Sequence, residues 1–407
     1  MDYVVPEYGV GSLYGFEEME AIAFALQQGT YEGAAILGEF EKEFAAFCGA
    51  KHAIGTVSGT MALHMTAHVL GLKEGDEVIC TPQTFQATML PFVARKVAVR
   101  FADIEPETLC IDPEKIEPLI SPKTRAIYVM HYGGLPCEMD AIMEIGRRHG
   151  LPVVEDAAHA PGATYKGRRI GGIGDITCFS FGSLKNMTTL GQGGMITTNN
   201  DEWAAALYAI RGRGLWGRTR ERAEAVIGPY RKPEPQYSDH SGESWTHDYE
   251  EILGAGMNIP MCGCQAAAGR VQLKKLDAMN EIRRELAARY REGLTQIDGV
   301  RVQPVSEDRY SVYHLFPFFI NEKETGVSHN ELIRGLEARG VRINNRFFPC
   351  HVTSYMRPMG HHFGECPVCE RVWFEEQVNL PISPLHKPKQ IDYAVEQVAA
   401  VVKELRR

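Results

Sequence analysis

From His52 to Thr198 short apolar runs alternate with helical patterns, an order that few architectures accept. His52 to Val57, Glu77 to Cys80, Val97 to Ala102, Arg125 to Met130 and Leu151 to Val154 each read as a strand. Helical spacing fills the gaps at Met61 to Leu70, at the run opened by Thr84, Phe85 and Gln86, at Pro113 to Ile120 and at Met139 to Arg148. The pattern predicts an α/β domain built on a mainly parallel sheet. Ligands of such sheets collect beyond the carboxyl ends of the strands. Ser58, Phe85, Asp156 and Ser180 all fall at or near such ends.

The stretch from Leu151 to Gly194 narrows the chemistry. Its first apolar run ends in Glu155, Asp156, Ala157, Ala158 and His159. A second strand, Ile176 to Phe181, runs into Ser183, Leu184, Lys185 and Asn186, and a third follows at Met195 to Thr198. Gly191, Gln192, Gly193 and Gly194 place Lys185 in a tight turn. Such a lysine can form a Schiff base with an aldehyde, and an aspartate facing a pyridine nitrogen keeps it protonated, so that the ring accepts electrons. The pair suggests pyridoxal phosphate (PLP). Ser58, Gly59 and Thr60, a hydroxyl-rich turn at a helix start, offer free N–H groups and a favourable dipole to a phosphate. Taken alone, that turn is only a good helix cap.

At 407 residues there is room for one large domain and a smaller one. A formal charge of -9, with no basic block longer than a pair, argues against nucleic acid as a partner. The first residues lack a basic start and an apolar core, and no apolar run is long enough to cross a bilayer, so a cytoplasmic protein is expected. Ten cysteines in no regular framework suggest reduced, mostly buried thiols. Cys262 with Cys264, and Cys366 with Cys369 just after His361 and His362, read as core or helix cysteines rather than metal sites.

Helical spacing also marks Phe16 to Gln28, Glu39 to Cys48, Glu202 to Arg211, a long run from Gln265 to Leu294, His329 to Arg339 and Gln390 to Leu405. Tyr313 to Ile320 and Val341 to Ile343 read as strands of a small C-terminal α+β part. Between Gly212 and Gly256 the pattern stops, over a length too great for an ordinary connection. Trp216, Tyr230, Tyr237, Trp245 and Tyr249 argue for an ordered arm there. The expected division is a large cofactor-binding domain, 1–280, carrying this insertion, and a small domain, 281–407.

Read in order, Ser58-Gly59-Thr60, Phe85, Asp156-Ala157-Ala158-His159, Ser180, Lys185, Gly256-Met257-Asn258 and Gln265-Ala266-Ala267 resemble the DegT/DnrJ/EryC1/StrS family of sugar and aminocyclitol aminotransferases. The likeness runs from Tyr31-Glu32-Gly33 to Leu380-Pro381-Ile382-Ser383-Pro384. It implies PLP fold type I, the aspartate-aminotransferase fold. It also implies that Lys185 is the Schiff-base lysine, Asp156 the partner of the pyridine nitrogen and His159 a neighbour of the phenolic oxygen. Phe85 would stack on the ring, Gly59, Thr60 and Ser180 would cradle the phosphate, and Asn258 would reach the phosphate of a neighbouring subunit. A homodimer with shared sites follows from that last role. The implied reaction aminates a keto group of a nucleotide-linked sugar or a cyclitol, with glutamate or glutamine as donor.

Three departures stand out. Gln192 replaces the usual glutamate of the Gly-Glu-Gly-Gly run, the insertion is long, and Ile259 to Cys264 replaces an aromatic and a basic residue. Two other functions fit the same fold: a PLP-dependent sugar dehydratase and a non-catalytic regulatory protein. Dehydratases of the family carry histidine in place of the lysine, and a remnant would have no need of both Lys185 and Asp156.

Overall fold

The computed structural model describes residues 3–212 and 256–406. The aromatic residues expected to form an arm, Trp216 to Tyr249, lie outside the described residues. Five strands come first: β1 (His52–Thr56), β2 (Glu77–Cys80), β3 (Ala98–Phe101), β4 (Thr124–Met130) and β5 (Val153–Asp156). A short hairpin, β6 (Thr164–Tyr165) and β7 (Arg168–Arg169), precedes β8 (Ile176–Ser180) and β9 (Gly194–Thr198). Seven of these form one sheet in the order β1-β9-β8-β5-β4-β2-β3. The pairs from β8 through β5, β4 and β2 to β3 are parallel, while β9 runs antiparallel to both β1 and β8.

Burial explains the strand sequences. All four residues of β5 are buried, as a central parallel strand covered on both faces requires, whereas edge strand β3 alternates exposed and buried positions. Helix α1 (Phe16–Leu26) and helix α2 (Thr30–Cys48) pack along a long helix, Gly263–Leu294. A Cβ on Gly269 would meet the Phe40 ring at 2.7 Å and the Thr189 side chain at 2.9 Å, so α2, the long helix and the turn after β8 meet there. Phe44 sets its ring edge-on against Phe179, with centroids 5.0 Å apart, and so ties α2 to β8.

Two buried apolar clusters result. The long helix supplies Leu273 and Leu276 to the first and Leu286, Ala287, Tyr290 and Leu294 to the second. The second also takes in the three-stranded sheet of Val300–Val302, Phe316–Ile320 and Gln377–Leu380, and the closing helix Pro388–Leu405. The first draws in residues from beyond position 300, among them Leu315, Cys350 and Val372.

Several elements differ from the reading of the sequence. Pro113 to Ile120 forms two short 3-10 turns, Pro113–Lys115 and Glu117–Leu119, because Pro118 has no N–H to continue a helix. Val341 to Ile343 forms no strand, and Val341 makes only an isolated bridge to Val5. The helix expected from Glu39 begins at Thr30, and the strand expected from Tyr313 begins at Phe316. Cys366 and Cys369 are buried, and among the described residues no three His, Cys, Asp or Glu side chains are grouped to hold a metal.

Candidate active site

A cleft of about 440 Å³ opens at the carboxyl ends of β4, β5 and β8. Gly59, Thr60, Phe85, Asp156, His159, Ser180 and Lys185 all line it. Two expected residues do not. Ser58 caps helix α3 (Gly59–Val69), its hydroxyl accepting the Met61 N–H at 3.2 Å. Asn258 is exposed, in a left-handed conformation with φ of 52°, and does not line the cleft of its own chain.

Successive residues of a strand point to opposite faces, so Glu155 and Asp156 divide two tasks. Asp156 turns into the cleft, where its Oδ2 accepts the Thr88 hydroxyl at 2.7 Å and its Oδ1 the Ala158 N–H at 3.1 Å. Thr88 in turn shares a 2.7 Å hydrogen bond with Thr84. Glu155 turns away, to His131 Nε2 at 2.8 Å, the Thr177 hydroxyl at 2.6 Å and the Gly174 N–H at 2.7 Å. Burial pushes its carboxyl up, but these donors outweigh burial and hold it below the ordinary value. His131 Nδ1 accepts the Cys137 N–H at 3.1 Å, which puts the proton on Nε2 and makes a neutral imidazole the donor. That pair fastens the end of β4 to the end of β5 directly behind Asp156.

Lys185 lies in a turn closed by its own N–H on the Gly182 carbonyl at 3.0 Å. Burial lowers its pKa to about 8; the Asp156 carboxylate pulls the other way, and the Arg346 charge adds to the lowering. His159 is fully enclosed, its ring 4.0 Å from that of His314 and stacked 5.5 Å from Phe347. Burial, with the charges of Lys185 and Arg346, holds its pKa well below the ordinary value. Both of its ring nitrogens lack a hydrogen-bond partner among the described residues. Phe85, 52% exposed, forms another wall beside Phe347.

The first N–H groups of α3, at Gly59 and Thr60, sit where a helix supplies no internal partner. A Cβ on Gly59 would meet the Ser180 Cβ at 2.7 Å, so only glycine lets this helix start lie against the end of β8. Together these features fit PLP: helix N–H groups and a hydroxyl for a phosphate, an aromatic wall, a carboxylate, a lysine whose pKa is lowered toward neutrality, and an imidazole with uncommitted nitrogens.

Thr88, His314, Arg346 and Phe347 escaped the sequence reading. Thr88 had a signal, its spacing of four from Thr84 on the turn after Phe85. His314, Arg346 and Phe347 come from the C-terminal part, where no motif marks them.

Sheet order and cleft define a PLP-dependent enzyme of fold type I. The model of the DegT/DnrJ/EryC1/StrS aminotransferase family matches residues 14–399, and the chain belongs to that family. Spore coat polysaccharide biosynthesis protein SpsC of Bacillus subtilis is 36% identical over 393 residues, 96% of each chain. DesV of S. venezuelae, solved in complex with a ketimine intermediate, is 31% identical with a TM-score of 0.80, over 95% of both chains. Spr1654 of Streptococcus pneumoniae, solved in a PLP form, shares the fold at 21% identity, with a TM-score of 0.82 over 98% of this chain and 99% of its own. The protein is thus a PLP-dependent aminotransferase.

Proposed function

We propose that this enzyme aminates a keto group on a nucleotide-linked sugar or a cyclitol, drawing the amine from glutamate or glutamine, in the cytoplasm. The observation that carries this reading is the meeting of Lys185, Asp156 and the α3 N-terminus in one cleft. When bound, PLP supplies an aldehyde that accepts amines and a ring that draws off the electron pair left by a departing proton. Lys185 Nζ takes the proton from the donor carbon that bears the amine, and later returns one to the former keto carbon. Asp156, oriented by Thr88 and Ala158, holds a proton on the ring nitrogen. His159 would neighbour the phenolic oxygen, Phe85 would offer its flat face to the ring, and Gly59, Thr60 and Ser180 would hold the phosphate, with Ser58 fixing the helix start. The test is a screen of nucleotide keto-sugars and inososes against enzyme preloaded with the amine, reading return of the aldehyde form. Turnover of simple keto acids only, with no sugar or cyclitol accepted, would overturn the reading.

The neutral amine of Lys185 is the form that adds to an aldehyde, and protonation removes its lone pair. With a pKa lowered to about 8 from 10.5, PLP uptake by the apoenzyme should quicken as pH rises and level off above about 8. Visible absorbance followed by stopped flow measures this, and an inflection near the ordinary lysine value would place Lys185 outside the cleft.

The working form in this reading is a homodimer with a large part, 1–280, and a small part, 281–407. Phe16, Met19 and Leu26 of α1 are 69%, 61% and 71% exposed and lie on one stripe of the helix, an apolar face suited to a second copy. Asn258, exposed and absent from the lining of its own cleft, would serve the partner's phosphate. Mixing inactive Lys185→Ala subunits with impaired Asn258→Ala subunits should then restore activity, since each mixed dimer holds one site with neither defect. Assays of dimers shown to be mixed measure the recovery, and none at all would refute shared sites.

A further inference from the structure

Arg283, on the long helix, is fully buried, and among the described residues its donors go to three backbone carbonyls rather than to a carboxylate. Nη1 reaches the oxygens of Tyr313 at 3.1 Å and Ile382 at 2.9 Å, and Nη2 reaches that of Gly11 at 2.6 Å. Nε has no partner among the described residues. Burial pushes the pKa of this guanidinium down, with no described carboxylate opposing the shift. A buried charge without a counter-charge is costly, and an apolar side chain of similar volume would avoid that cost. Such departures gather at functional sites.

The carbonyls that Arg283 holds lead to the cleft. Gly11 lies against the turn that carries Lys185, its N–H donating to the Ser183 carbonyl at 2.8 Å. A Cβ on Gly11 would meet the Leu184 oxygen at 2.0 Å and the Lys185 oxygen at 2.5 Å, so no side chain fits between the two backbones. Tyr313, in a left-handed conformation with φ of 45°, precedes His314, which lines the cleft. Arg283, Gly11, Leu184, His314 and Ile382 meet around one narrow cavity of about 40 Å³. One guanidinium thus ties the N-terminal segment and the C-terminal part to the long helix and, through Gly11, bears on the Lys185 turn.

We propose that Arg283 is a positioning residue for Lys185: it clamps Gly11 onto the lysine's turn and so fixes where the amine stands in the cleft. This rests on the role given to Lys185 above. An amine that takes a proton from one carbon and returns one to another needs a turn that holds still while its side chain moves. The charges felt at Lys185 are those of Asp156 and Arg346, so Arg283 works by geometry and not by its field.

The test compares Gly11→Ala, Arg283→Met and the double variant. It reads the pH profile of PLP uptake by the apoenzyme, and kcat and donor KM of the PLP-loaded enzyme with L-glutamate or L-glutamine, whichever wild type takes. Gly11→Ala pushes the turn off its seat, so kcat should fall at least about tenfold with a smaller change in donor KM. A displaced Lys185 is less buried, so the inflection of uptake should move up from about 8, toward the ordinary 10.5, by about one pH unit or more. Arg283→Met should move both in the same direction. The double variant should be no worse than the poorer single, because both changes act on one contact. Tyr290→Phe, which strips the Pro381 carbonyl of its bond to the same helix, is the control: it should lower the melting temperature and leave kcat and the inflection in place. An unmoved inflection in Gly11→Ala would overturn the proposal, and that variant decides alone should Arg283→Met not fold or neither donor be taken. Losses that multiply in the double variant, or an equal shift in Tyr290→Phe, would overturn it too. A wild type in which borohydride fixes PLP on another lysine removes the role of Lys185 and this proposal with it.

Discussion

Purified Lys185→Ala is expected to keep its PLP and to turn over about 10² to 10⁴ times more slowly than wild type, the range lost with a positioned proton carrier. The helix N–H groups at Gly59 and Thr60, the Ser180 hydroxyl and the Phe85 face are untouched by the substitution, so the holding contacts survive. What disappears is an amine whose pKa, about 8, suits it both to add to an aldehyde and to carry a proton near neutral pH. Gel filtration followed by absorbance measures retained cofactor, and steady-state assays measure turnover. Near-normal turnover would remove Lys185 from the chemistry.

Asp156→Asn should lose about 10²-fold or more in turnover, the worth of a strong charge-assisted hydrogen bond, while PLP affinity falls far less. Its surroundings can absorb the change. The amide oxygen can keep the Ala158 N–H, and the amide nitrogen can donate to Thr88, whose hydroxyl then donates to Thr84. No buried group is left without a partner, so thermal stability should hold near that of wild type. The missing negative charge, by contrast, has no substitute: Glu155 faces the other side of the strand, committed to His131, Thr177 and Gly174. Turnover compared with equilibrium PLP affinity separates the two effects. Loss of cofactor accounting for all the lost activity would make Asp156 a binding residue only.

The sheet was legible because its central strands are buried on both faces and so appear as unbroken apolar runs, as β5 does. The same runs located Asp156, Ser180 and Lys185, since a strand end followed by a glycine turn leaves little choice of position. Helix α2 was shortened in the reading because Gly33 and Gly38 dilute its helical signal, which its packing on the long helix overrides. Pro113 to Ile120 failed for the opposite reason, apolar spacing that suited a helix in a stretch that Pro118 interrupts. Arg346, Phe347 and His314 could not be found at all. They reach the cleft only through the packing of the C-terminal part, and no local pattern encodes such a meeting.

The long helix is a mechanical element of the fold. At 1.5 Å of rise per residue, its 32 residues span about 48 Å, and it has no proline, with glycines only at positions 263, 269 and 293. It is a lever without a joint. Any shift of the C-terminal sheet and closing helix would be carried along it toward Gly269, where it lies against Phe40 and Thr189 at the foot of the turn that holds Lys185.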